Sequence, residues 1–521
     1  MTPESGTASP AEPAPVGDAI LHATWQDFLP QRSEQLREQI MGLPGGAWER
    51  DPELLLALAS SYRTASAHNV YATIRYLDAA EALTAEDRLL LLLCALQRSA
   101  ALRALGRLDE ALAAASQVVD RLREVQLPLS TRITLESRAL IAEGIALALR
   151  GDLAGGEGSI RHGLGLAGHD RVSSWQLEAH GWLALIAAHQ GAVDAALPHL
   201  ERAHSLGDET GMIQDLSGLP ALFAESLLAT DRGQYAQARE QLLAAAGISD
   251  GTEYEPLRLH LLAVAWGGDR GDFEQFGLLQ EAGVLLQSWQ SPSLYEVNHE
   301  TVRAVALLQS GSPSGARDAI AGLRRLLERV PDPRHVVCAR RLEARLALHV
   351  GEYELVLEAT RRCRALGDDH APRTRAYVDA LRAAAHLQLG DLSTAATAID
   401  RVLLTAARTG WRRPLTLLPA DILRHMLDSA GSREQSAEVT AVIGELQLEP
   451  PDGATPFAPL SERERVILGH LTAGLSRQQI SALLHVSPNT VKSQARSLYA
   501  KLGASSRHEA IERATRYGIR V

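Results

Sequence analysis

Apolar residues recur at helical spacing along most of the chain, and the apolar runs are repeatedly followed by a glycine. A glycine ends a helix well because it adopts the left-handed C-cap conformation without steric cost. The glycines recur every 38–45 residues, and each spacing is long enough for a pair of helices. The pattern therefore predicts a helical hairpin at each glycine. These glycines are Gly106, Gly151, Gly191, Gly233, Gly271, Gly311, Gly351, Gly390 and Gly431.

Two further positions accompany each glycine. The residue two positions later is usually apolar and is predicted to fill the groove between the paired helices. The residue five positions later is usually small, which lets the second helix approach closely. The first set is Leu108, Leu153, Val193, Tyr235, Phe273, Pro313, Tyr353, Leu392 and Arg433. The second set is Ala111, Gly156, Ala196, Ala238, Phe276, Ala316, Val356, Ala395 and Ser436.

Such hairpins bury their apolar faces only by stacking on one another, so residues 21–445 are predicted to form a superhelical array. The pattern resembles tetratricopeptide-like (TPR-like) repeats, with a longer period, and its decay at Arg433 and Ser436 is typical of a capping repeat. Superhelical arrays present a concave groove, which we expect to bind a small molecule, a peptide or a protein. Five tryptophans are expected in the core rather than in this groove. They are Trp175, Trp182, Trp266, Trp289 and Trp411.

Two segments lack these periodicities. Residues 1–20 are rich in Pro, Ala, Ser and Glu and are predicted to be disordered. Residues 446–456 contain adjacent prolines and an Asp-Gly pair, which cannot continue a helix and which predict a linker. The linker separates the repeats from a C-terminal domain at residues 457–521.

Helix starts are clearly marked in the C-terminal domain. Ser461, Ser476 and Ser506 each precede a Glu or Gln by three residues, which is the pattern of a capping box. Ser487 precedes Pro488, which is the pattern of an N-cap followed by proline at the first helical position. Four short helices with a tight turn between the second and third predict a helix-turn-helix.

The third of these helices is predicted to have two distinct faces. An apolar stripe for the core is formed by Val491, Ala495, Leu498 and Leu502. A polar and cationic face is formed by Asn489, Lys492, Ser493 and Arg496. Arginine and lysine donate well to guanine in the major groove, so this face fits double-stranded DNA.

The distribution of charge indicates that the repeats and the C-terminal domain bind different partners. Residues 457–521 contain 10 basic and 4 acidic side chains, a net charge of +6, whereas the preceding 456 residues contain 42 and 59, a net charge of −17. Both lysines of the chain, Lys492 and Lys501, lie in the basic part, and neither has the neighbours of a phosphate-binding P-loop.

Other functional classes find little support. The three cysteines, Cys94, Cys338 and Cys363, are far apart in sequence and show neither disulfide nor zinc-site spacing, so we expect a reducing, cytoplasmic location. The chain has no secretion signal and no apolar run that crosses a bilayer, so no membrane partner is expected. No catalytic constellation, cofactor motif or metal motif is present, and we expect no enzyme.

The segment from Leu460 to Ala510 resembles the LuxR-type helix-turn-helix family along its whole length. The family landmarks are Leu460-Ser461, Arg463-Glu464, Gly474, Ser476, Ile480, Ala482, Leu484, Ser487, Thr490-Val491-Lys492, Tyr499, Lys501-Leu502-Gly503 and Ser506-Arg507. Three residues depart from the family pattern, where Glu462 replaces a proline, Gln479 a glutamate and Gln494 a histidine. The fold class implied is all-α, a TPR-like array followed by a four-helix LuxR-type domain.

The resemblance also assigns roles within the C-terminal domain. Residues 488–502 become the recognition helix, with Lys492, Ser493 and Arg496 facing bases. Thr490, Gln494, Lys501 and Arg507 are expected nearer the phosphates. Regulators of this family commonly bind DNA as dimers. The overall arrangement resembles the C-terminal part of MalT-like regulators without their ATPase.

Two functions remain open at this stage. One is a transcription regulator whose repeats sense an effector or a protein partner and control the C-terminal domain. The alternative is a TPR-like interaction scaffold or anti-regulator with weak DNA binding or none.

Overall fold

The computed structural model describes residues 30–62, 69–84, 87–167, 174–268, 273–330, 336–447, 462–484, 486–502, 504 and 506–516. The predicted tail 1–20 lies outside these residues, as does the predicted linker from residue 448 onward. The last helix of the array extends to Gln447, two residues into the predicted linker. In the described part of the chain, all regular secondary structure is helical.

The α-helices before residue 250 are α1 (Pro30–Met41), α2 (Pro52–Ser61), α3 (Val70–Leu83), α4 (Arg88–Ala104), α5 (Leu108–Arg121), α6 (Leu129–Leu149), α7 (Leu153–Ala167), α8 (Ser174–Gln190), α9 (Val193–Thr210), α10 (Leu219–Asp231), α11 (Tyr235–Ala244) and α12 (Ala246–Ser249). The remaining helices of the array are α13 (Glu255–Gly267), α14 (Phe273–Gln287), α15 (Leu294–Gln309), α16 (Pro313–Leu327), α17 (Ala339–Val350), α18 (Tyr353–Ala359), α19 (Arg361–Leu366), α20 (Pro372–Gln388), α21 (Leu392–Thr409), α22 (Arg413–Thr416), α23 (Ala420–Gly431) and α24 (Ala437–Gln447). The C-terminal domain contains α25 (Glu462–Thr472), α26 (Arg477–Leu483), α27 (Pro488–Lys501) and α28 (Arg507–Arg516). Short 3-10 helices cover Pro44–Arg50, Leu216–Gly218 and Gly367–Asp369.

The predicted hairpins are present, and most of the predicted glycines join their helices in the left-handed conformation. The glycines with a positive φ are Gly106, Gly151, Gly191, Gly233, Gly311, Gly351 and Gly390. Gly271 lies outside the described residues. The prediction for Gly431 is wrong, because Gly431 belongs to α23 and Ser432 ends that helix in a right-handed conformation.

The small residue of the hairpin pattern is confirmed almost throughout. Ala111, Ala196, Ala238, Ala316 and Val356 are completely inaccessible to solvent. Ser436 is exposed, as the decayed last repeat predicts.

The apolar residue of the pattern is confirmed less uniformly. Leu108, Leu153 and Tyr235 are buried between helices. The prediction for Leu392 is wrong, because 64% of its surface is exposed. The buried residues of α21 lie on its inward face instead, and they are Ala395, Ala398, Ile399, Val402, Leu403 and Ala406.

The array closes on itself through contacts between residues far apart in sequence. The backbone NH of Asp109 lies 3.3 Å from the hydroxyl of Ser291, 182 residues away. The backbone NH of Ser291 also donates to the carbonyl of Gly106 at 3.0 Å, and that of Arg412 donates to the carbonyl of Asp231 at 2.7 Å. Side chains at these turns pack tightly, since a Cβ atom on Gly106 would collide with the Trp289 ring. The array is therefore a tight superhelix in which the turns of early hairpins meet those of later hairpins.

Four large hydrophobic clusters are formed by the described residues. Three follow the array from the first helices to α24, and Trp182, Phe223 and Tyr254 are among its largest fully buried side chains. Trp411 is also buried, while Trp175, Trp266 and Trp289 pack at the margin of the central cluster. The fourth cluster includes residues of α13–α17 together with the core of the C-terminal domain. None of the described helices has both the length and the hydropathy needed to span a bilayer.

Candidate nucleic-acid interface

The C-terminal domain is a miniature bundle built around its third helix. The predicted stripe of α27 is confirmed, because Val491, Ala495, Leu498 and Leu502 are each at most 2% exposed. It packs on buried residues of the neighbouring helices, which are Ile467, Leu468, Leu471, Ile480, Ala510 and Ala514. The apolar stripe thus fixes the rotation of α27 about its own axis.

Side chains cap the helices at the predicted positions. Gln479 accepts from the backbone NH of Ser476 at 2.8 Å, while the Ser476 hydroxyl accepts from the NH of Gln479, so the capping box is complete. The Ser487 hydroxyl accepts from the NH of Thr490 at 3.1 Å and starts α27. The Ser506 hydroxyl accepts from the NH of Glu509 at 3.2 Å. The predicted box at Ser461, the turn residue His485 and Gly503 lie outside the described residues.

The fixed rotation of α27 presents its cationic face to solvent. Asn489, Lys492, Ser493 and Arg496 are all exposed. Neither Lys492 nor Arg496 forms an ion pair in the part of the chain that the structure describes. The Ser493 hydroxyl donates to the Thr490 carbonyl at 3.0 Å, which leaves its oxygen as an acceptor toward solvent. Thr490 and Gln494 are half-buried at the edge of this face.

The structure places the other two predicted site residues differently. The Lys501 ammonium lies 2.7 Å from Glu464, whose side chain is only 6% exposed, and Ser497 donates to the same carboxylate at 2.8 Å. Arg507 donates to the carbonyl of Leu471 at 2.6 Å. Lys501 and Arg507 therefore join the third and fourth helices to the first rather than extending the exposed face.

Sequence reasoning missed the buried carboxylate. It gave Glu464 only a capping role, whereas the structure uses Glu464 to hold α25 against α27 through Lys501 and Ser497. A signal was available, because Lys501 lies between residues of the apolar stripe at its C-terminal end. A lysine in that position ordinarily extends its charge to solvent, and it turns toward the bundle only where an acid pairs with it.

The fold and this site define a class of protein: a helical-repeat array joined to a small helix-turn-helix domain. Residues 458–514 match the family described as "Bacterial regulatory proteins, luxR family". Residues 458–514 therefore form a LuxR-type helix-turn-helix domain, which follows the array of TPR-like helical hairpins.

Two curated relatives share this domain. The chain is 40% identical over 97 residues to "Probable transcriptional regulatory protein NarL" of Mycobacterium tuberculosis, which covers 18% of this chain and 44% of the relative. It is 42% identical over 59 residues to "HTH-type transcriptional regulator MalT" of Yersinia pestis, which covers 11% of this chain and 6% of the relative. The chain thus spans less than half the length of either relative.

Two solved structures align with much of the chain at low identity. A Rap protein complexed with Competence and Sporulation Factor aligns at 12% identity over 69% of this chain and 98% of that one, with a TM-score of 0.47. Yeast Tom70 aligns at 12% identity over 83% of this chain and 99% of that one, with a TM-score of 0.31.

Proposed function

We propose that the protein is a DNA-binding transcription regulator whose repeat array senses an effector. The observation that carries the proposal is the exposed cationic face of α27, which lies opposite a completely buried stripe. A helix with this division projects long donors into the major groove while its other side holds the domain together. In the proposed complex, Lys492 and Arg496 donate to base edges, and Asn489 and Ser493 lie beside them.

The other predicted site residues have different proposed roles, according to their distance from the cationic face of α27. Thr490 and Gln494 lie at its edge, where they fit the phosphate backbone. Lys501 and Arg507 keep their contacts with α25, through which Lys501 positions α27 and Arg507 positions α28. The net charge of +6 in residues 457–521 supplies attraction to DNA that does not depend on its sequence.

A route from the array to the C-terminal domain supports the sensing half of the proposal. Helix α28 packs against α14 of the array. One continuous hydrophobic cluster contains residues of both parts, with Leu278 and Ile511 at its margin. A rearrangement of the α13–α14 hairpin would therefore change the surface on which the C-terminal domain packs.

The proposed complex contains two copies of the chain on paired half-sites. Two copies double the number of phosphate contacts and raise affinity accordingly. Sedimentation velocity of the full chain with a selected duplex measures this stoichiometry. A complex with one chain per duplex at saturation would contradict the dimer.

The full-length protein provides the decisive test of DNA binding. We would select duplexes from a random library with the full chain and measure affinity by fluorescence anisotropy. The double variant Lys492→Ala, Arg496→Ala is expected to bind the selected duplex about 100-fold more weakly, because each base contact contributes about 1–3 kcal/mol. Arg424→Ala, which removes an exposed arginine of the array, is the matched control and should bind as wild type.

Two outcomes would overturn the proposal. Unchanged affinity in the double variant would reject α27 as the recognition helix. Failure of the wild-type chain to enrich any duplex would favour the scaffold or anti-regulator function instead.

A further inference from the structure

A cavity of about 70 Å³ lies inside the array, where α8, α13, α15, α17, α20 and α22 converge. Its wall contains four arginines, two histidines and no acidic side chain. These six residues are His189, His260, Arg341, Arg345, Arg373 and Arg413. The first 456 residues carry a net charge of −17, so a purely cationic cavity within them is unexpected.

Internal partners account for only part of this positive charge. Arg373 lies 2.8 Å from the carboxylate of Asp231, just outside the cavity. The guanidinium of Arg341 stacks on the Tyr377 ring at 4.5 Å. Within the described residues, no carboxylate forms an ion pair with Arg345 or Arg413. Arg413 is buried and Arg345 is half-buried, so two guanidinium groups line the cavity without a counter-ion.

Several buried donors around the cavity also lack a partner in the described structure. They are Nε of Arg413, Nε2 of His189, Nδ1 of His260 and Nδ2 of Asn298. Arg413, His189 and His260 are each no more than 7% exposed. An unpaired buried donor costs about 1–3 kcal/mol, so a folded protein keeps several together where a ligand accepts from them.

The protonation states at this site agree with the geometry. Burial, together with the like charges of Arg413 and Arg341, lowers the pKa of Arg345 to about 9. Burial and the nearby Arg373 lower the pKa of His189 to about 3, so this ring is neutral at neutral pH. A neutral imidazole donates one hydrogen bond and adds no further positive charge.

We infer that this cavity binds the anionic head, a carboxylate or a phosphate, of a small organic effector. A cavity of about 70 Å³ has room for a small anion with a short apolar part, since about 10–15 Å³ of such volume holds one water molecule. Val264, Val302 and Val305 form an apolar part of the wall, which fits a hydrocarbon portion of the same molecule. The ligand class is therefore an organic anion with an apolar body.

The position of the cavity connects this inference to the proposed function, on which its regulatory consequence rests. His260 and Val264 belong to α13, which pairs with α14, and α14 contacts α28 of the C-terminal domain. An anion that pulls His260 and Arg413 together would move α13 relative to its neighbours. The effect would reach the C-terminal domain through one helical hairpin.

Direct binding to the full chain tests the inference without any DNA. We would titrate inorganic phosphate and hexanoate in a calorimeter, with chloride at matched ionic strength and hexylamine as the charge-reversed probe. Saturable binding of phosphate or of hexanoate is expected, and hexylamine should not bind. Phosphate alone would identify a phosphate head, and hexanoate alone would identify a carboxylate with an apolar body. Binding of neither anion overturns the inference.

Variants separate a ligand site from a structural one. Arg345→Met with Arg413→Met should raise the melting temperature of the ligand-free chain, because it removes two uncompensated buried charges, and should weaken anion binding at least 30-fold. A lower melting temperature for the double variant, with anion affinity intact, would assign the arginines to structure alone. Arg424→Met is the matched control, and Arg413→Lys should retain part of the affinity. None of these measurements depends on DNA binding, so this inference fails independently of the proposed function.

A second and independent cluster joins the two cysteines that the sequence appeared to separate. Cys338 caps α17, Cys363 lies in α19, and His370 follows the 3-10 helix Gly367–Asp369. Their sulfur atoms are 3.6 Å apart, and a nitrogen of His370 completes a group whose atoms all lie within 4.8 Å of one another. All three side chains are buried. The expectation that these cysteines form no metal site was based on sequence spacing, which the packing of both α17 and α19 on α20 makes irrelevant.

We propose that Cys338, Cys363 and His370 bind a zinc-like divalent cation. Two thiolates on a tetrahedral zinc lie about 3.8 Å apart, given a zinc–sulfur bond of about 2.3 Å, which agrees with the observed separation. The fourth ligand would come from an adjoining cavity of about 580 Å³, which Arg324, Arg340 and Arg362 help to line. Two thiolate charges neutralise the cation within this otherwise basic wall.

Cobalt substitution tests the metal site in the reduced full chain. One equivalent of Co²⁺ should give a thiolate-to-metal charge-transfer band that one equivalent of Zn²⁺ abolishes. Cys338→Ser and Cys363→Ser should each lose the band, whereas Cys94→Ser, at a buried cysteine outside the cluster, should keep it. His370→Ala should weaken Zn²⁺ binding at least 10-fold in a chelator competition. Absence of the band in the wild type would overturn the site, as would a band that persists in both serine variants.

Discussion

The array and the C-terminal domain place their positive charge in opposite ways. Lys492 and Arg496 lie on the outside of a small domain, where solvent screens them. Arg345 and Arg413 lie inside the array, where little solvent reaches the cavity. Exposed cations cost the fold almost nothing and fit a large polyanion such as DNA. Buried cations without a partner destabilise a fold until an anion pairs with them, and in the proposed function this would make the array responsive to a ligand.

Charge reversal on α27 gives the largest expected effect. Lys492→Glu with Arg496→Glu should weaken binding of a selected duplex by about 1,000-fold, because attraction to base edges and phosphates becomes repulsion. The free energy of unfolding should change by no more than about 0.5 kcal/mol, because both side chains are exposed. Fluorescence anisotropy and urea unfolding measure the two quantities. A large loss of stability would show that this face is also structural.

The Glu464–Lys501 pair tests whether a cation of the C-terminal domain that is paired with a buried acid stabilises the fold or binds DNA. Lys501→Met should cost about 2 kcal/mol of stability, because it leaves the buried Glu464 carboxylate without its ammonium partner. Glu464→Gln in the same chain should restore part of that loss, because it removes the unpaired charge. Urea unfolding of both variants checks this order. If Lys501→Met instead lowered DNA affinity without loss of stability, Lys501 would be a phosphate contact.

Acid should destabilise the array in part through His189, which is one of its buried histidines. The pKa of His189 is about 3 in the folded chain, below its ordinary value of 6.5, so the unfolded chain binds more protons between these values. The free energy of unfolding therefore decreases as the pH falls below 6.5, and at pH 5 it should be about 2 kcal/mol lower than at pH 7. Urea unfolding at pH 7 and pH 5 measures the difference, which should shrink in His189→Gln. An equal pH dependence in both proteins would show that His189 is not the titrating group.

The smallest expected effect concerns salt. The affinity of wild-type protein for a selected duplex should fall steeply with salt concentration. Arg477→Ala tests a further exposed cation, which lies on α26 beside α27. We expect that variant to reduce the slope of log affinity against log salt by about 1, uniformly across duplex sequences. Anisotropy titrations at several salt concentrations give the slope. An unchanged slope would place Arg477 away from the phosphates.

Much of both regions was predictable because it depends on short-range periodicity. The hairpin turns, the small residues such as Ala111 and Ala196, and the stripe of α27 all follow from residues within a few turns of one another. The face that carries Lys492 and Arg496 was predictable for the same reason, since burying one side of a helix exposes the other. The errors at Leu392 and Gly431 fall near the end of the array, where fewer neighbours impose the pattern.

The sequence by itself determined the helices, their pairing and the face of α27, because these depend on which side of each helix is apolar. Only the tertiary structure decided which hairpins meet across the superhelix, since its curvature is the sum of many small packing angles. That curvature gathers Arg345, Arg373 and Arg413 around one cavity and brings the turn at Asp109 beside Ser291. It also sets Cys338 against Cys363, although no local motif relates them. A local sign of this polar cavity is a polar residue within an apolar helix, such as His260 in α13.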